Sequence, residues 1–167
     1  MDLKPGAQPG TTDVYYKVTD VAPVRGYVGY DDTGVQTLGR ERLSAGFIYG
    51  NAFGNDGTLS YQYTTDGDLR LLHAHALSWN QPIDCDHSFR AYGSWAGLTP
   101  AVGGGLNQTG DSWQLGMAMV RHLQKSRWIN SDFILGLDFK STNNNLEFGG
   151  ANVQASAAEL FEIRVGH

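Results

Sequence analysis

The sequence predicts an all-β protein, an antiparallel up-and-down transmembrane β-barrel of eight strands. Three observations carry this. Segments of about ten residues alternate between apolar and polar side chains and end in turn signals. Helical periodicity is almost absent, and Gly, Asn, Asp and Thr recur too often for long helices. The 167 residues include 22 glycines and only 17% charged residues, against roughly 25% charged in an ordinary soluble domain.

The elements follow in order. Pro5, Gly6, Pro9 and Gly10 mark residues 1–12 as an extended linker. "DVYYKVTDV" (13–21) is a strand closed by "APVR". Eight alternating segments come next: "VRGYVGYD", "ERLSAGFIYGNA", "TLSYQYTT", the less regular "LLHAHALSWN", "SFRAYGSWAG", "SWQLGMAMVRHL", "SDFILGLDFK" and "ELFEIRVG". Residues 1–23 therefore precede a barrel spanning 24–167.

The direction of the faces decides the class. A soluble barrel points its apolar face inward, whereas a membrane barrel points it at lipid. Here the polar faces mix small residues with isolated charges (Gly46, Ser60, Gly116, Asp138, Arg164), which suits a crowded lumen. The apolar faces are broad, aromatic and uncharged. The residues expected to face lipid are Phe47, Leu59, Tyr61, Tyr63, Leu115, Met117, Phe133, Leu135, Leu137, Phe161 and Ile163. The expected interior charges are Asp138, Lys140, Glu162 and Arg164, paired because buried charges demand partners. Trp79, Trp113, Trp128 and many Tyr fall near strand ends, where interfacial girdles belong.

The connections give a second signal. The odd-numbered ones are mostly longer and richer in Gly and Asn, notably "LTPAVGGGLNQTGD" and "STNNNLEFGGANVQASA". Short turns at one end and long loops at the other is the outer-membrane pattern, with the chain starting and finishing on the periplasmic side. The third connection, "TDGDLR", is short and fits poorly. Closure is expected because unpaired backbone groups in lipid cost several kcal/mol each.

Other constellations carry less. With a net charge of −5 and a pI near 5.4, nothing suggests a nucleic-acid partner, and none is expected. The single cysteine, Cys85, allows no intrachain disulfide and no paired-thiol motif. "MDLKPGAQPGTT" is no secretory signal, which is expected of a processed or excised chain, and no apolar run reaches the length of a membrane helix. "HAH" sets His73 and His75 on one strand face, but a zinc site needs a third ligand, so polar packing in the interior is preferred. Asp31, Asp32, Asp66 and Asp68 lack EF-hand spacing and read as solvated loop residues. "GGGLNQTG" lacks the Lys-Ser/Thr of a phosphate loop. No catalytic, cofactor-binding or metal residue is assigned. Two other classes remain: a soluble ligand-binding β-barrel, and a small outer-membrane lipid-modifying enzyme using His73 or His75 with Asp66 or Asp68.

"GYDDTG" (Gly29–Gly34), "LSAGFIYGNAFG" (Leu43–Gly54) and "LSYQYTT" (Leu59–Thr65) resemble the opening strands of the barrel in two-partner secretion transporters, the haemolysin secretion/activation family. "TTDVYYKVTDVAP" is similar to the last strand of the family's second POTRA domain. The resemblance implies a bacterial outer-membrane barrel of sixteen strands that exports an unfolded, secreted partner protein. It implies membrane lipid or detergent as surroundings, and no enzyme activity. The chain holds only half such a barrel and lacks the inward loop of the second half. Either its eight strands close on themselves, or a homodimer completes a sixteen-stranded ring.

Overall fold

The computed structural model describes residues 2–16, 23–101, 106–126, 129–148 and 151–166. A small hairpin comes first, with β1 (Asp2–Pro5) antiparallel to β2 (Thr12–Tyr15). β1 and the reversal lie in the segment expected to be a linker, whereas β2 covers the start of the strand expected over 13–21, whose residues 17–21 lie outside the described residues. Gly10, at φ 85°, makes the reversal, and the Thr11 hydroxyl donates to the Gln8 carbonyl at 2.8 Å.

One eight-stranded antiparallel sheet follows. Its strands are β3 (Val24–Asp31), β4 (Arg42–Ala52), β5 (Gly57–Asp66), β6 (Leu72–Pro82), β7 (His87–Leu98), β8 (Leu106–Ser126), β9 (Ile129–Phe148) and β10 (Ala151–Gly166). They pair strictly in chain order from β3 to β10, the simplest outcome when every strand is joined to the next by a hairpin. Each of the eight alternating segments forms a strand.

The expected closure into an eight-stranded ring is not observed. Among the described residues, β3 and β10 pair on one side only. An eight-stranded ring has a lumen just filled by side chains. Here Gln62, Ala76, Ser78 and Ser94 on the polar face of the middle strands remain exposed. The sheet thus bends more gently than a ring of eight requires.

The fifth and seventh connections also differ from expectation. Much of "LTPAVGGGLNQTGD" and most of "STNNNLEFGGANVQASA" is strand, so β8, β9 and β10 run for 21, 20 and 16 residues. Asn144 pairs with Gly110 on one side and Ser156 on the other. Backbone pairing needs no apolar side chains, so the ladder continues as a polar ribbon after the apolar alternation stops. Gly103, Gly104, Gly105 and Trp128 lie outside the described residues.

The remaining odd-numbered connections form one rim. The β3–β4 connection carries a single 3-10 turn, Gln36–Leu38. The Arg42 guanidinium fastens it by donating to the carbonyls of Leu38 (3.0 Å) and Gly39 (2.8 Å). The Ala101 amide donates to Thr37 at 2.8 Å and the Thr99 amide to Leu71 at 2.9 Å, joining three connections. If residues 142–147 are ladder and not loop, alternate amides there should exchange with deuterium far more slowly than an unstructured Asn-rich segment. Amide exchange read by mass spectrometry checks this.

Candidate functional site

Alternation assigns every strand residue to one of two faces, and the register carries that assignment across the sheet. One row runs Phe47, Tyr61, Leu77, Gly93, Leu115, Phe139, Phe161. A neighbouring row on the other face runs Ile48, Ser60, Ser78, Tyr92, Gly116, Asp138, Glu162. All eleven residues expected to face lipid lie on the first face, and Asp138, Lys140, Glu162 and Arg164 all lie on the second.

Burial runs opposite to a soluble sheet. Along β8, Leu115 and Met117 are 57% and 49% exposed, whereas Ala118 and Val120 beside them are 7% and 1% exposed. Along β9, Leu135 and Leu137 are exposed while Asp138 is buried. Phe47, Phe133, Phe161 and Ile163 are exposed too, and Leu59, Tyr61 and Tyr63 are half-buried. The sheet curls around its small and polar face.

The apolar face has a measurable height. On β8 its first charged residues are Asp111 and Arg121, with Trp113, Leu115, Met117 and Met119 between them. Ten residues at a rise of about 3.3 Å span about 33 Å along the strand. At the usual tilt of about 40° this is about 25 Å of height, the thickness of a lipid-facing band.

Aromatic residues mark both rims. The Trp79 indole leans over Gly57 towards the even-numbered turns: a Cβ at Gly57 would lie 2.8 Å from Trp79 Cζ2. Phe53 packs against it at 5.6 Å. Trp95 leans the other way, over Gly97. Tyr61 and Tyr63 reach in that direction too, each bonded through its hydroxyl to an imidazole Nδ1, of His75 and His73 respectively, at 2.7 Å. Rings anchored in an apolar zone thus send their polar tips to its edges. The interior packing expected for His73 and His75 is corrected here. Register puts both on the apolar face, since His75 lies opposite Tyr63 and Trp95.

The polar face carries a compact charged cluster. Asp138, 1% exposed, accepts from the Tyr92 hydroxyl, the Arg164 guanidinium and, at 3.3 Å, the Gln114 amide. Arg164 also donates to the Tyr92 oxygen at 2.7 Å. Gly116 makes room, because a Cβ there would strike the Tyr92 ring and lie 2.6 Å from Asp138 Oδ1. One turn of the pleat away, Lys140 donates to Glu162 at 3.4 Å, both partly exposed. The four expected charges thus form two pairs bridging β9 and β10. Tyr92 and Gln114 complete the cluster from β7 and β8. Their place on the polar face was legible from alternation, but their shared target was not, because it depends on register across three strands.

Asp66 is the second correction. It is not a solvated loop residue but is 1% exposed. Its Oδ1 accepts from the amides of Arg70, Leu71 and Leu72 at 2.8–3.0 Å, and its Oδ2 from Asp68 at 3.2 Å. This cradle shapes the short third connection. Burial alone pushes its carboxyl up, but the backbone donors of Leu72, Leu71 and Arg70 outweigh that and hold it below the ordinary Asp range. Asp31 binds the Thr33 amide at 3.1 Å in a local turn. Asp84 accepts from the amides of Asp86 and His87 at 2.8 Å, and Cys85 is exposed in that turn. His87 and His122 lie at the ends of their strands opposite to His73 and His75. Among the described residues no three His, Cys, Asp or Glu side chains gather as a metal site.

The family model described as haemolysin secretion/activation protein ShlB/FhaC/HecB matches residues 10–167. The chain belongs to this family. The family is one of secretion proteins and not of enzymes. Among solved structures, the sheet matches CdiB from Escherichia coli with a TM-score of 0.83 at 20% identity. The match covers 99% of this chain and 31% of CdiB, so the chain spans about a third of that protein's length. No curated protein matches in sequence.

Two outcomes test the cluster and the cradle. Asp138→Ala should cost about 2–3 kcal/mol, since it strands a half-buried tyrosine and an arginine, and half-exposed Arg164 limits the loss. A double-mutant cycle with Tyr92→Phe should then show coupling of about 1 kcal/mol or more, read by urea unfolding. For Asp66, a lowered folded pKa means that its contribution is complete above the unfolded value near 3.8 and is lost as pH falls through the folded value. The stability gap between the wild type and Asp66→Asn should therefore be constant from pH 7 to 5 and shrink at more acid pH.

Proposed function

We propose that this sheet is part of the wall of an outer-membrane β-barrel through which an unfolded partner protein is exported. The observation that carries the reading is the uncharged face between Asp111 and Arg121, ten residue steps apart, backed by a small and charged opposite face. It fits lipid outside and a hydrated lumen inside. Phe47, Leu59, Tyr61, Tyr63, Leu115, Met117, Phe133, Leu135, Leu137, Phe161 and Ile163 then meet lipid. Asp138, Lys140, Glu162 and Arg164 line the lumen.

The open edges of β3 and β10 call for further strands, because an edge in lipid leaves a row of unpaired backbone groups. Sixteen strands would complete the ring, with eight supplied by the rest of a longer chain or by a second copy. Residues 1–23 then belong to the end of a preceding periplasmic domain, and the even-numbered turns face the periplasm. By itself the eight-stranded unit is a structural wall, and transport belongs to the completed ring.

A soluble ligand-binding barrel predicts the opposite response to a charge at mid-face. Met117→Arg should cost about 2–4 kcal/mol in lipid, as expected for Arg at the midplane of a membrane barrel. Ser94→Arg, on the polar face, should cost little. Unfolding in lipid vesicles measures both, beside folding with and without detergent followed by gel mobility before and after boiling. Equal tolerance of the two substitutions, with folding in plain buffer, would overturn the membrane reading.

A further inference from the structure

We infer that His73 and His75 form a headgroup site for a phosphate-bearing lipid on the apolar face, a step that rests on that face meeting the membrane. The two imidazoles lie at its edge. His73 is opposite Gly97, and Gly97 is opposite Asp111, where charge begins on β8. His75 is one row further in, beside Trp95. Their chemistry suits an interfacial acceptor. The Tyr61 and Tyr63 hydroxyls lie 2.7 Å from the two Nδ1 atoms, and we assign the phenols, the better donors, as donating there. In that tautomer the ring proton of each imidazole is on Nε2, the nitrogen on the far side of the ring.

Among the described residues neither Nε2 has a hydrogen-bond partner, and both rings are partly exposed. Two N–H donors from positions i and i+2 of one strand face, at the rim of that face, can each bond an oxygen of a phosphate ester. The site is also preorganised. The Tyr63 ring packs on His75 at 4.9 Å and on His73 at 6.2 Å, and Trp95 flanks His75 at 5.7 Å. Acyl chains would then run down the apolar face past Leu77 and Leu115, both exposed.

The test is native mass spectrometry of the detergent-folded chain after exposure to phosphatidylglycerol, to diacylglycerol with the same acyl chains, or to inorganic phosphate. Phosphatidylglycerol should be retained over diacylglycerol. The His73→Phe/His75→Phe variant, which keeps the rings and removes the donors, should lose that preference by about tenfold, the effect of one to two hydrogen bonds. Tyr61→Phe/Tyr63→Phe should weaken it severalfold by freeing the tautomer, and decides the matter if the histidine variant does not fold. Equal retention of the two lipids, or unchanged preference in the variants, overturns the site. So does displacement of the lipid by inorganic phosphate at equal concentration, which would make it a free-anion site. The heat-dependent gel shift is read on the same samples: if it persists while the preference is absent, the headgroup site fails and the membrane wall stands.

Discussion

The backbone ladder is the constraint on which everything else rests. Among the described residues, strands β3 to β10 pair through backbone hydrogen bonds only with their sequence neighbours, so each residue's face and height follow from one register. In lipid no water is available to satisfy an amide or carbonyl left over. A register slip of a single residue would move that strand's apolar side chains to the polar face and its polar side chains to the apolar face. The Asp138 cluster resists such a slip, because Tyr92, Gln114, Asp138 and Arg164 on four consecutive strands meet only when all three pairings are correct.

The two faces solve different packing problems. On the polar side the sheet is concave, and the space is shared by placing glycine where a large residue must lie across it. Gly116 beneath Tyr92 and Gly46 beneath Tyr27 are the clearest cases, each with too little room for a Cβ. Tyr27 in turn donates to Gln62 at 2.8 Å, and Ser60 and Ser78 share a 2.6 Å bond, so this face is knitted by polar contacts and not by an apolar core. On the apolar side the side chains diverge and stay exposed. Among the described residues no second layer of protein covers them.

The rim where the odd-numbered connections meet is built differently again. Arg42 holds carbonyls, Asp66 holds amides, and the two residues lie opposite each other at the ends of β4 and β5. Between them they cap the places where the ladder stops and backbone groups would be orphaned. Beyond that rim β8, β9 and β10 continue as a polar ribbon. The sheet is therefore tallest at its β10 side, next to the edge that Arg164 and Glu162 occupy.

Local alternation determined a great deal by itself. The existence and order of the eight strands, and the sorting of Phe47, Leu115, Leu137, Asp138 and Arg164 onto opposite faces, follow from a period of two, which needs no knowledge of neighbours. What the tertiary structure alone decided are the features set by register and curvature. Whether eight strands close depends on the bend accumulated between neighbours, which no single strand encodes. The Asn-rich run from 143 to 145 looked like loop because its side chains are polar, yet backbone pairing is indifferent to that. His73 and His75 looked like interior residues because they are polar, yet parity with Tyr61, Tyr63 and Trp95 places them among aromatics at the rim. Asp66 looked solvated because it sits in a turn, yet four amides converge on it once the chain reverses. In each case the missing information was a partner distant in sequence or a backbone donor brought round by the fold.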